Sequence, residues 1–288
     1  MDTMHRISIV LPTLDRPEAI YNLLRHLEHQ TLQPLEIVVV DQSTDLDARL
    51  AAYAGEHPIV RLHRIPVKGL PNARNVGVQG SRGDVILFLD DDSIPDADLV
   101  RFHAEAYADP AIAGVGGQVR GGYDAREGAI GTFRESDGRV VRNFGASTRC
   151  SVDHLPGGNM SFRREVFEKA GGFDLRYGGS AIGEETDFCL RARRAGFRFV
   201  FEPRATLEHL HLPTGGCRAP RFEDWLYWHS HNTVLFALRH ARLAVLPWFL
   251  LKRTLRLGLF AIEHGSPALI AVGLQGFARG IATFRAGR

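Results

Sequence analysis

The N-terminal part of the chain alternates short unbroken apolar runs with stretches whose apolar residues recur every three or four positions. Ile7-Ser8-Ile9-Val10-Leu11 stops at Pro12, and Leu35-Glu36-Ile37-Val38-Val39-Val40 stops at Asp41. A weaker run covers Val60 to Ile65, and Val85-Ile86-Leu87-Phe88-Leu89 stops at Asp90. Apolar runs without polar alternation predict strands buried on both faces, as in a parallel sheet covered by helices. Between the first two runs, Ile20, Leu23, Leu24 and Leu27 stand at helical spacing, and Pro17 suits a first helical position. Gly69 to Asn75 leads a further short helix. This alternation predicts an α/β fold with a doubly wound, mostly parallel sheet flanked by helices.

Beyond the fourth run the pattern weakens. Gly121 to His154 is polar and dotted with glycine, and predicts no definite element. A short helix is expected from Arg163 to Ala170, closed by Gly171, then a helix entered through Phe188 and a strand from Phe197 to Phe201. After about Pro220 the character changes. Phe222, Trp225, Trp228 or His229, and Phe236 recur at helical spacing, and Leu243 to Ile262 is strongly apolar but carries Lys252, Arg253 and Arg256 in its middle. Those charges argue against a spanning helix. From Arg221 to Arg288 there are nine Lys or Arg against three acids, Glu223, Asp224 and Glu263. A basic, aromatic-rich helical segment reads as a membrane-surface element, with a packing cap or a homodimer contact as the plainer readings. The expected division is therefore a catalytic domain over 1–216 and a helical, basic C-terminal region over 217–288.

Composition narrows the class. Apolar residues at 44% and charged residues at 24% are ordinary globular values, which excludes disordered and collagen-like chains. A net charge of +2 gives no argument for nucleic acid as a partner. Cys150, Cys189 and Cys217 are odd in number with no C-x-x-C spacing, which favours reduced thiols in the cytoplasm over disulfides or a zinc site. No long apolar segment precedes Arg6, so no signal peptide is expected.

The candidate chemistry lies where the apolar runs end. Asp90-Asp91-Asp92 terminates the fourth run, and ligands of open α/β sheets bind beyond the carboxyl ends of strands. Three adjacent carboxylates are either a solvated acidic turn or a cation site, and hard oxygen ligands suit Mg²⁺ or Mn²⁺. No G-x-G-x-x-G follows the first strand and no G-x-x-x-x-G-K-[ST] occurs, so a bound nucleotide would rely on acids and a metal. A second acid group, Glu184, Glu185 and Asp187, follows the glycine-rich stretch Gly178 to Gly183. Acids at a helix start also have a purely structural reason, the helix dipole. Helical geometry places Glu184 and Asp187 on one face and turns Glu185 roughly 100° away from Glu184. His209 and His211 share a face in extended chain, as paired ligands would.

Taken in order, these blocks resemble the inverting family-two glycosyltransferases of GT-A fold, from about Ile7 to about His211. Val10-Leu11-Pro12-Thr13-Leu14-Asp15-Arg16 is similar to the opening motif of that family; the resemblance implies that Pro12, Thr13, Asp15 and Arg16 serve the donor, with Thr13 lining the base pocket. Val39 to Asp45 resembles the second block, implying Asp41 on nucleobase or ribose. Ala73-Arg74-Asn75 matches the third, implying Arg74 near the base. Asp90-Asp91-Asp92 matches the D-x-D element, implying Asp91 toward ribose or sugar and Asp92, with Asp90 and His209 or His211, on the metal. Gly183-Glu184-Glu185-Thr186-Asp187 resembles the acceptor-side block, implying Glu185 as general base with Glu184 as the alternative. Gly158, Asn159 and Asp187 fall on the acceptor side. Gln42 stands where relatives carry another acid, and Glu185 is one methylene longer than the usual aspartate.

The implied reaction is metal-assisted transfer of a sugar, with inversion, from a nucleotide-diphosphate sugar donor to a hydroxyl of a glycan or lipid-linked acceptor. Gly215, Gly216 and Arg218 stand where relatives have a loop that closes over the diphosphate. The setting implied is the cytoplasmic face of a membrane, with peripheral attachment. A sugar-phosphate nucleotidylyltransferase would share the sheet and acids but calls for a glycine-rich loop in place of Pro12-Thr13-Leu14-Asp15. A phosphohydrolase would place its nucleophile after an early strand, and a non-catalytic sugar-nucleotide-binding protein has no need of the intact acids.

Overall fold

The computed structural model describes residues 5–122 and 128–287. Its centre is a nine-stranded sheet. Strands β1 (Ile7–Thr13), β2 (Glu36–Asp41), β3 (Val60–Arg64) and β4 (Val85–Leu89) run parallel in the order β3-β2-β1-β4. Successive side chains go to opposite faces. Ile7, Ile9 and Leu11 of β1 and Val85, Leu87 and Leu89 of β4 enter one core with α1 (Pro17–Glu28). Val10, Ile86 and Phe88 enter the other. Strands buried on both faces need apolar residues at every position, which is why these runs lack alternation. Helices α2 (Ala48–Glu56) and α3 (Leu70–Gly80) complete this half.

The other half is mixed rather than parallel. After β5 (Ser93–Pro95), α4 (Leu99–Ala106) and β6 (Ile112–Arg120) come a hairpin of β7 (Thr132–Arg134) and β8 (Arg139–Val141), the short β9 (Cys150–Val152), then β10 (Asn159–Arg163). Strand β10 inserts antiparallel between β4 and β6. Strand β6 is absent from the sequence expectation because Gly114, Gly116 and Gly117 read as breakers. Here they are close-approach positions: a Cβ on Gly114 would sit 2.6 Å from Phe199 and 2.9 Å from Phe162.

Helix α5 (Arg164–Ala170) ends at Gly171, whose φ of 75° suits glycine. Helix α6 (Glu184–Arg194) leads to β11 (Arg198–His209), longer than the expected Phe197–Phe201 strand and paired with β5, β6 and β9. Three helices follow: α7 (Phe222–His240), α8 (Leu246–Glu263) and α9 (Ala268–Ala286). They share a separate apolar cluster of Leu226, Val234, Leu257, Leu269 and Phe277. Among the described residues no helix is long and apolar enough to cross a membrane.

Candidate active site

The acid triplet sits where β4 ends and β5 begins, and its three carboxylates have different surroundings. Asp90 is part-exposed, whereas Asp91 and Asp92 are buried. Thr13, at the end of β1, donates its hydroxyl to Asp91 Oδ2 at 2.8 Å. The Arg16 guanidinium, from the turn before α1, lies between the two buried acids. Its Nη1 is 2.8 Å from Asp91 Oδ1 and 3.2 Å from Asp92 Oδ2. Burial pushes the Asp91 carboxyl up to about 6, against the opposing pull of Arg16 and Thr13. Burial also acts on Asp92, but the His209 contact, Arg16 and the Leu212 amide outweigh it and hold that carboxyl at about 2.

Strand β11 supplies the histidines. Its antiparallel pairing with β5 sets His209 opposite Ser93, next to Asp92. His209 Nε2 lies 2.9 Å from Asp92 Oδ1 and 3.8 Å from Asp90 Oδ2. Burial alone would lower this imidazole's pKa, yet the two carboxylates raise it above the ordinary value. His211, in left-handed backbone at φ 53°, places Nε2 at 3.2 Å from His209 Nδ1. The two histidines do meet, although only His209 reaches the acids.

These groups line a cleft of about 800 Å³ with Lys68, Arg218 and Arg221, closed on one side by Phe222 and Trp225 of α7. Thr13, Asp15, Arg16 and Asp41 also line an adjoining hollow of about 530 Å³ that runs beside Ser43 to Asp47. A smaller compartment of about 290 Å³ holds Gly158, Glu184, Glu185, Arg74 and Arg142. It shares Asp90, His209 and His211 with the large cleft, so the acid triplet and the glutamates Glu184 and Glu185 face connected space. A Cβ on Gly158 would sit 2.5 Å from Asp90 Oδ2, so glycine lets that carboxylate lie against the backbone.

The second acid group divides sharply. Glu184 is buried and paired with the Arg74 guanidinium. Asp187 is buried and receives Arg191 Nε at 2.9 Å, Arg239 Nη1 at 2.8 Å and His240 Nε2 at 2.7 Å. Glu185 keeps 16% of its side chain exposed, and its ion-pair neighbour is Arg142, at 3.8 Å.

Several expected contacts change on this view. Arg74 does not face the large cleft: its side chain is buried, donates to Gly157 O at 2.8 Å and pairs with Glu184 and with Asp90 at 3.4 Å. Asn159 is fully buried; it bonds His103 and the carbonyls of Gln118 and Ala205, so it supports the sheet rather than meeting an acceptor. Asp187 likewise holds helices together. Arg142 carries no signal in the sequence, because it lies in the glycine-dotted stretch without periodicity. Arg239 and His240 carried no signal, since nothing local marks a helix C-terminus as the partner of a distant acid.

A divalent ion meets a mixed test. Among the described residues no group of three His, Cys, Asp or Glu is arranged to hold one. Arg16 supplies the positive charge opposite Asp91 and Asp92. The residue types suit a hard divalent ion: Asp92 is ionised at neutral pH, Asp90 is part-open, and His209 Nε2, here bonded to Asp92, lies within 3.8 Å of both.

A model of the family described as "Glycosyl transferase family 2" matches residues 8–171, more than half of the chain. The chain belongs to glycosyl transferase family 2. It is similar to a glucosyl-dolichyl phosphate glucuronosyltransferase of Haloferax volcanii, 28% identical over 218 residues, covering 71% of this chain and 69% of the relative. It also resembles the pre-mycofactocin glycosyltransferase of Mycobacterium tuberculosis, 25% identical over 246 residues; the match covers 82% of this chain but about half, 48%, of that protein's length. In fold it matches a mannosyltransferase from Pyrobaculum calidifontis solved with GDP-Man and Mn²⁺, with TM-score 0.62 at 18% identity over 99% of this chain and 83% of that one. The fold of this family 2 glycosyltransferase is therefore GT-A, and the likeness takes in the C-terminal helices.

Proposed function

We propose that this glycosyltransferase moves a sugar from a nucleotide-diphosphate donor to a hydroxyl of a glycan or lipid-linked acceptor, with inversion, at the cytoplasmic face of a membrane. The observation that carries the reading is the inequality of the α6 acids. Glu184 is neutralised by Arg74 and Asp187 by three cationic or imidazole groups, which leaves Glu185 as the carboxylate with a part-open side chain facing the smaller compartment. In the proposed reaction Glu185 takes the proton of the acceptor hydroxyl as its oxygen bonds to the anomeric carbon. The bond from that carbon to the diphosphate oxygen breaks on the opposite side, so one displacement inverts the centre and releases nucleoside diphosphate.

On the donor side Thr13 and Arg16 hold Asp91 in place, and the Leu212 amide and His209 orient Asp92. Lys68, Arg218 and Arg221 give the cleft positive charge for an anionic donor. Mg²⁺ or Mn²⁺, when bound, would offset the charge developing on the leaving diphosphate, with Asp92, Asp90 and His209 as its holders. In this reading residues 1–216 form the catalytic domain, and 217–288 form a helical appendage whose first residues, Arg218 and Arg221, complete the cleft.

The test is a pair of isosteric changes. Glu185→Gln keeps size but accepts no proton, so turnover should fall on the order of 10²–10⁴. Nucleotide diphosphate affinity should hold within a factor of about two. A dead Glu184→Gln beside an active Glu185→Gln would move the base by one residue, and full activity of both would end the proposal.

A further inference from the structure

Helix α8 is poorly covered for so apolar a segment. Of its eighteen residues only Leu257 and Ala261 are buried, and Leu257 belongs to the C-terminal cluster. On the opposite side Trp248, Leu251, Leu255, Leu259 and Ile262 form a row. At 100° per residue they span roughly a quarter of the helix circumference. They are strongly exposed: Leu255 to 62% and Ile262 to 78%. Leu243, just before the helix, is likewise exposed, at 71%. Soluble surfaces rarely leave so long a contiguous row of large apolar groups uncovered, and such rows mark contact surfaces.

What covers the row follows from its border. Lys252 and Arg256, both exposed, stand one helical turn apart along one edge, and the sole acid of the helix, Glu263, is its last residue. The Lys252 ammonium lies over the Trp248 ring at 5.0 Å from its centroid, so the aromatic and the cation present together. A second copy of the chain that paired this patch with itself would bring four border cations into a drying interface against only the terminal Glu263 of each helix. An anionic bilayer has the complementary chemistry: acyl chains for the row and acidic headgroups for its border.

We infer that α8 lies in the interface of an anionic membrane, with Trp248, Leu251, Leu255, Leu259 and Ile262 in the acyl boundary and Lys252 and Arg256 among the headgroups. This deepens the membrane setting proposed above by naming the element and the lipid class. The helix is also joined to the acceptor compartment. The β7–β8 hairpin packs on it through Gly138 and Phe249, and the same hairpin leads into Arg142, the neighbour of Glu185. Docking by α8 would therefore bring the acceptor-side opening close to the lipid surface.

The test is flotation of the full-length protein with vesicles of phosphatidylcholine alone and of phosphatidylcholine with phosphatidylglycerol. Binding is expected to the mixed vesicles and to weaken as salt is raised. The double change Leu255→Glu, Ile262→Glu should reduce bound protein by about tenfold or more, while turnover on a water-soluble acceptor stays at the native level. Should that double variant fold poorly, quenching of native-protein fluorescence by brominated lipid, abolished in Trp248→Phe, reads the same contact. Native-like flotation of the double variant, indifference to phosphatidylglycerol, or a solution dimer that Leu255→Glu dissociates would each overturn the inference. Absence of any sugar transfer would instead count against the proposed reaction and leave the flotation result standing.

Discussion

Glu184, Glu185 and Asp187 lie within one helical turn, yet their environments assign them different work. The helical spacing that groups Glu184 with Asp187 was legible in the sequence, and both do turn inward. Which partners await them was not, because Arg74 comes from α3 and Arg239 and His240 from α7. Asp187 gives a prediction for stability. Burial alone would raise its carboxyl, but the His240 hydrogen bond with Arg191 and Arg239 holds it well below the usual carboxylate range. A depressed value in the folded state means that the unfolded chain takes up the proton first as pH falls. The stabilisation is thus complete above about pH 5 and is lost through and below about pH 4. Asp187→Asn should destabilise by about 3 kcal/mol at neutral pH, since it leaves buried cations without their carboxylate. Denaturant titrations of the two proteins should converge as pH drops from about 6 toward about 3. A difference that stays constant across that range would show that Asp187 is not the charge holding these helices.

At the scale of elements, the strand ends were readable and their closure was not. Buried runs ending on Asp41 and Asp90 announce where a sheet opens, and β2 and β4 end there. The segment from Leu212 to Arg218 has no periodicity, and its place depends on Arg16. That guanidinium donates to Leu212 O at 3.1 Å and Thr214 O at 2.7 Å while it pairs with Asp91 and Asp92. Gly215 and Gly216 turn beside it at φ 70° and 57°, where added side chains would press on the Arg16 side chain itself. One arginine thereby both pairs with the two acids and seats the loop that borders the large cleft. Arg16→Ala should cost roughly 3 kcal/mol in chelator, by leaving Asp91 with only the Thr13 hydroxyl and Asp92 with only His209 and the Leu212 amide. Mn²⁺ should then raise the melting temperature of the variant more than that of the native protein, because the ion meets charge left unpaired. Protease cleavage between Leu212 and Arg218 should accelerate in the variant. Equal Mn²⁺ shifts in both proteins would mean that Arg16 and the metal do not share these carboxylates.

For the whole molecule, the change of composition after Pro220 reads as a boundary, and α7 to α9 share an apolar cluster. The contacts across that boundary combine an apolar cluster, Tyr177 and Leu190 with Leu235 and Phe236, with buried polar pairs that composition does not reveal. Asn232 Nδ2 donates to Gly178 O at 2.9 Å, and Arg239 reaches Asp174 at 2.6 Å as well as Asp187. Trp228 packs over Gly178 and Gly179, positions where a side chain would collide with the indole. Helix α7 thus holds the glycine segment that leads into the acids of α6. Removing it would strand Asp187 and Asp174 without their Arg239 partner, at several kcal/mol, a large share of a typical domain stability of about 5–15 kcal/mol. The expectation is one cooperative transition for the full chain. The three tryptophans, Trp225, Trp228 and Trp248, all lie in α7 and α8, so their fluorescence reports those helices and, through Trp228, their contact with Gly178 and Gly179. Loss of nucleotide diphosphate binding reports the sheet side. In a urea titration both signals should change at the same midpoint, and Arg239→Ala should move them down together. Fluorescence that unfolds first while nucleotide binding persists would show that the sheet and its acids stand without α7, and that the buried pairs across the boundary contribute little.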